Sequence, residues 1–136
     1  MQPPVLAWLR LFRVFQKIDR ASSEHLRTWR LSTAQFDILA RVGASRGITQ
    51  QELADRLLVT KGNISQLLDR MEKLGLLRRC QEKRSNILVL TEQGQALYDR
   101  VVPAQEQLIE EQLASLSLSE IGDLQRLLRK VDHALR

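Results

Sequence analysis

Between Thr60 and Ser85 the reactive side chains are amides, hydroxyls and cations rather than nucleophiles or metal ligands. Thr60, Lys61, Gly62, Asn63, Ser65, Gln66, Asp69, Arg70 and Lys73 lie opposite the apolar set Ile64, Leu67, Leu68, Met71 and Leu74. That spacing predicts an amphipathic helix with a polar outer face. Its first turn is small and polar, so backbone there can approach a duplex closely. Asn63 and Gln66 can pair with adenine edges in the major groove, and Lys61, Arg70 and Lys73 with guanine. Thr60, Ser65 and the leading amides of the helix suit phosphate oxygens. A second basic group follows, with Arg79, Lys83, Arg84 and Ser85 in a short stretch that changes to strand-like composition.

Charge gathers in the same place. Residues 60–85 hold seven basic and three acidic side chains, a net of +4 out of +5 for the chain. Residues 105–136 hold six acidic and four basic. A pI near 10 calls for a polyanionic partner, and 4% aromatic residues leave few platforms for stacking single-stranded bases. A duplex is the expected partner.

Other chemistries find little support. His25 and His133 have no His or Cys at ligand spacing, so no metal is expected and both histidines are read as solvent-facing. No glycine-rich phosphate loop or nucleophile elbow is present, and neither an enzyme nor a cofactor is expected. The single cysteine, Cys80, sits beside Arg78 and Arg79 and is a candidate redox sensor. Arg10 and Arg13 interrupt the only apolar N-terminal stretch, which argues against a membrane span and for a cytoplasmic chain.

The elements that must position these residues are mostly helical. After Pro3 and Pro4, Trp8, Leu11, Phe12, Phe15, Ile18, Ser22 and Leu26 mark one long face. Ser32 with Gln35, Thr49 with Glu52, and Ser117 with Glu120 have the spacing of capping boxes. Gly43 and Gly75 read as helix stops. "LLRRCQEKRSNILVL" reads as two short strands with a charged tip. Thr91 restarts a helix that Pro103 should kink or locally distort, and Leu118, Ile121, Leu124, Leu128, Val131 and Leu135 stripe the last one. Ala54 reads as the small residue where two helices cross, joined by a Leu58-Val59-Thr60 turn too short for antiparallel packing. The fold class is therefore mainly α with a short two- to three-stranded β-wing. A winged helix-turn-helix core at about residues 32–91 is flanked by dimerisation helices at about 4–28 and 92–136.

"QELADRLLVTKGNISQLLDRMEKLGLLRR", followed by "EKRSNILVLTEQG", resembles the MarR family of bacterial transcriptional regulators over nearly the whole chain. The resemblance implies a homodimer with intertwined terminal helices, with its reading helices one DNA turn apart, about 34 Å. It implies a repressor of a pseudo-palindromic operator, released by a small-molecule or oxidative signal. Arg84 would enter the minor groove, with Asp69 orienting it or pairing with Lys73. It also implies a small aromatic or phenolic ligand between the dimer helices and the winged domain, where Trp8, Phe12, Arg13, Phe15 and Trp29 are candidate lining residues. Helical spacing alone reads the aromatics among them as core. Three departures stand out: the wing is a few residues shorter than in many relatives, Lys83 replaces an arginine, and Leu58 stands where such turns often have glycine. Two rival readings remain open, a winged-helix protein-interaction module and a non-specific architectural DNA-binding protein.

Overall fold

The computed structural model describes residues 1–57 and 64–135. In chain order the elements are α1 (Pro3–Thr28), α2 (Thr33–Gly43), β1 (Ile48–Thr49), α3 (Gln50–Arg56), α4 (Ile64–Lys73), β2 (Leu77–Glu82), β3 (Ser85–Leu90), α5 (Glu92–Gln112) and α6 (Leu118–Ala134). The fold is the expected mainly helical one with a small antiparallel sheet. The predicted turn at residues 58–60 lies outside the described residues.

Local chemistry explains most boundaries. α2, α3 and α6 start at the three predicted capping boxes, where Ser32, Thr49 and Ser117 each accept from the backbone N–H of the residue three further on. The glutamine or glutamate there accepts in return from the cap backbone, so two otherwise orphaned donors are satisfied. α1 and α4 end alike. Leu31 N–H donates to the Leu26 carbonyl and Leu76 N–H to the Met71 carbonyl, both at 3.0 Å, closing a Schellman turn each time. The left-handed residue in these turns is Gly75 (φ 79°) in one and Arg30 (φ 59°) in the other. Pro103 does not end α5, which runs through it as one helix.

The sheet order is β1-β3-β2. β2 and β3 pair from Leu77 opposite Leu90 to Glu82 opposite Ser85. Ile48 and Thr49 add a two-residue strand on the far edge of β3. The sheet is buried at its base, where Leu77, Leu88 and Ile48 join a core with Leu26, Ile38, Leu39, Leu53, Leu68 and Met71. Its tip, including Lys83 (φ 56°) and Arg84, stands in solvent.

α1 and α5 are tied by buried polar groups. Gln105, 4% exposed, hydrogen-bonds Ser22 Oγ at 2.7 Å and lies 2.6 Å from His25 Nδ1. The Trp29 indole N–H donates to His25 Nε2 at 3.3 Å, and the Arg100 guanidinium sits 5.3 Å above the Trp29 ring. The reading of His25 as solvent-facing is thus corrected: its ring is half-buried and bonded at both nitrogens.

Two apolar surfaces remain uncovered. Trp8 and Phe15 are each 57% exposed on α1, and Val131 is 56% exposed on α6, which buries no residue. Trp8, Phe12 and Phe15, read from their spacing as core, are thus exposed within this single chain.

Candidate nucleic-acid interface

Three parallel rows organise α4. Leu68 and Met71 are buried, with Ile64 and Leu67 partly buried beside them, and anchor the helix to the core. Ser65, Asp69 and Glu72, at i, i+4 and i+7, face β2. Gln66, Arg70 and Lys73 form an adjacent row that is exposed throughout. Of the expected apolar stripe, Ile64, Leu67, Leu68 and Met71 face the core while Leu74 is exposed, and the described part of the expected polar face, Ser65, Gln66, Asp69, Arg70 and Lys73, is exposed.

Arg79 of β2 joins the wing to α4. Its Nη1 donates to Asp69 Oδ1 at 2.7 Å and to Glu72 Oε1 at 3.2 Å, while Nη2 donates to the Ser65 carbonyl at 3.2 Å. The Arg79 backbone N–H also reaches Glu72 Oε2 at 3.4 Å. Strand alternation explains the choice of arginine. Arg79 shares a face with buried Leu77, whereas Arg78 and Cys80 point away and are exposed. The expected partnership of Asp69 with Arg84 or Lys73 is therefore corrected: Asp69 pairs with Arg79. Arg79, expected among the DNA contacts, is held within the domain, its side chain 20% exposed.

The remaining expected residues divide as follows. Thr60, Lys61, Gly62 and Asn63 lie outside the described residues. Ser65 has its hydroxyl accepting from Gln50 Nε2 at 3.1 Å, which links α3 to α4. Arg84 and Ser85 border a polar notch with Thr49, Gln50 and Asn86, beside Ile64 at the start of α4. Cys80 is a free, exposed thiol on β2. Glu72 and Gln50 were missed by sequence reasoning. The i, i+3 spacing of Asp69 and Glu72 opposite an inward-facing strand arginine is the signal that could have found Glu72.

A second concavity lies between α1, α2 and α5, with a volume of about 560 Å³. Of the five residues expected to line an effector cleft, only Phe15 borders it. Trp8 and Phe12 pack on each other at 5.8 Å on the exposed part of α1, and Arg13 is exposed nearby. Trp29 is committed to His25 and Arg100. The cleft instead combines Phe15, Ile18, Phe36 and Ile109 with acidic side chains of α1, α2 and α5.

A recognition helix braced by a basic two-stranded wing defines a winged-helix DNA-binding protein. Comparison with known proteins agrees. A MarR family profile matches residues 31–85. An HTH-type transcriptional regulator of Bacillus cereus is 42% identical over 100 residues, covering 74% of this chain and 68% of the relative. A mutant MarR from E. coli complexed with operator DNA superposes with a TM-score of 0.79 at 30% identity, covering 94% of this chain and 95% of the other. The organohalide-sensing regulator RdhR in its 2,4-dichlorophenol-bound form gives a TM-score of 0.83 at 25% identity, with 98% and 82% covered. The chain belongs to the MarR family and is a DNA-binding transcriptional regulator.

Proposed function

We propose that the protein is a homodimeric repressor that reads a pseudo-palindromic operator and releases it when a small molecule binds. The observation that carries this reading is the Arg79 clamp, which fixes β2 against α4 while Gln66, Arg70 and Lys73 stay exposed. A helix and ribbon locked together present one rigid surface, so base contacts lose little to conformational entropy on binding. Gln66, Arg70 and Lys73 read base edges together with side chains of residues 60–63, while Lys83, Arg84 and Ser85 grip the flanking backbone and minor groove.

The uncovered stripes of α1 and α6 supply the dimer. Apolar faces of that size are buried against something in a stable soluble protein, and a two-fold pairing of helices at the chain's two ends leaves both reading heads outward. The solved complex of the E. coli relative with operator DNA supports the partner, and the dichlorophenol form of RdhR supports an aromatic signal.

Footprinting on the duplex upstream of the protein's own coding region tests the reading. The expected pattern is two protected half-sites about one helical turn apart, with two chains bound per duplex. One protected segment with one chain bound would overturn the dimeric reading.

A further inference from the structure

We infer that the cleft between α1, α2 and α5 takes an aromatic cation rather than a phenolate or other aromatic anion. The inference rests on the regulator reading only for its consequence on DNA, not for the ligand class itself.

The wall chemistry sets the class. Phe15, Ile18, Phe36 and Ile109 give an apolar lining that suits a ring system, and about 560 Å³ fits a drug-sized molecule. The charged residues bordering it are all acidic: Asp19 of α1, Asp37 of α2, and Glu106 and Glu110 of α5. Asp37 already pairs with Arg41, its oxygen 3.4 Å from Nε. Asp19, Glu106 and Glu110 have no ionic or hydrogen-bonded partner among the described residues, and Asp19 is partly buried. The chain is basic overall, so an acidic border at this cleft runs against its average charge.

An anion entering the cleft would lose hydration and meet carboxylates at close range in a medium less polar than water. A cation would replace hydration with those same carboxylates, and the rings of Phe15 and Phe36 would add their quadrupoles. Because the cleft joins α1 and α5 to α2 of the reading domain, occupancy can bias where that domain sits and so alter DNA affinity.

Tetraphenylphosphonium and tetraphenylborate are near-isosteric ions of opposite charge and separate the classes directly. Calorimetry on the full-length protein without DNA is expected to show the phosphonium binding at least tenfold tighter than the borate. Asp19→Asn combined with Glu106→Gln should cut phosphonium affinity about tenfold while the borate gains or holds. The near-isosteric swaps are checked by melting curve, and the two-ion comparison on the unaltered protein stands whatever the variant does. Borate binding as tightly as phosphonium, or phosphonium affinity unmoved by the folded double variant, overturns the inference. Anisotropy on operator duplex, run separately, reports the regulator reading: absent DNA binding would sink that reading while calorimetry still decides the cleft.

Discussion

The Arg79 guanidinium lies 2.7 Å from the Asp69 carboxylate, tying the wing's first strand to the middle of the recognition helix. The two elements already share a buried core through Leu68, Met71 and Leu77, and at their exposed edge Glu72 and the Ser65 carbonyl complete the Arg79 socket. A partly exposed pair of this kind adds little to global stability, about 0–1 kcal/mol. Its effect is on geometry.

That distinction gives the first prediction. Arg79→Met removes a positive charge and Asp69→Asn a negative one, so simple attraction to phosphate would move DNA affinity in opposite directions. Loss of the clamp instead lowers operator affinity in both variants, by about tenfold or ~1.4 kcal/mol each. Melting temperature should barely change. Arg79→Lys should not restore binding, because an ammonium cannot span Asp69, Glu72 and the Ser65 carbonyl at once. Equilibrium titration of the three variants on one duplex checks all of this, and opposite signs for Met and Asn would reduce the pair to bulk charge.

Gly94 is buried in the first turn of α5, where an added Cβ would overlap the Leu76 carbonyl oxygen. Backbone cannot swing aside as a side chain can. Gly94→Ala should therefore cost about 3 kcal/mol and lower the thermal midpoint by about 10 °C, read by circular dichroism. A shift within error of the parent protein would mean that the start of α5 does not press on the Leu76 backbone.

The two Schellman turns allow a paired comparison. Arg30 holds a left-handed conformation without being glycine, at a cost of roughly 1–2 kcal/mol before other terms. Arg30→Gly should stabilise the protein by about 0.5–1 kcal/mol, while Gly75→Ala should destabilise it by a similar amount. Denaturant midpoints at constant slope measure both.

Three capping boxes, the glycine stop at Gly75 and the ribbon at 77–90 were legible because each depends on residues within a turn or strand of one another. The two residues of β1 were not, since alternation cannot register in so short a strand. The Arg79 socket depends on α4 and β2 meeting in space, and the sequence alone offered Arg79 as a DNA contact beside Arg84. His25 was misread for the same reason: Trp29 is four residues away, but Gln105 is eighty. Aromatic spacing on α1 was legible as a stripe, but Trp8, Phe12 and Phe15 on it stand exposed in this chain, because periodicity records an apolar face without saying what covers it.

The capping box of α3 predicts a pH effect. The Thr49 backbone N–H, then the Thr49 side chain, hold the Glu52 carboxyl below the usual glutamate range, with a further contribution from Arg56. A carboxylate depressed in the folded state stabilises above its unfolded pKa, about 4.3, and loses that contribution as pH falls through the folded value. Relative to Glu52→Gln, the parent protein should melt higher at neutral pH, with the gap closing below about pH 4. Parallel melting curves across that window decide it; a gap that widens in acid would reverse the sign.

The central claim is that α4 reads sequence within a clamped winged domain. Fluorescence anisotropy on the upstream duplex, with a scrambled duplex as competitor and salt varied, tests it most directly. The account predicts nanomolar binding that resists the competitor and is lost on Gln66→Ala. Equal binding to both duplexes, falling steeply with salt and unmoved by Gln66→Ala, would contradict it.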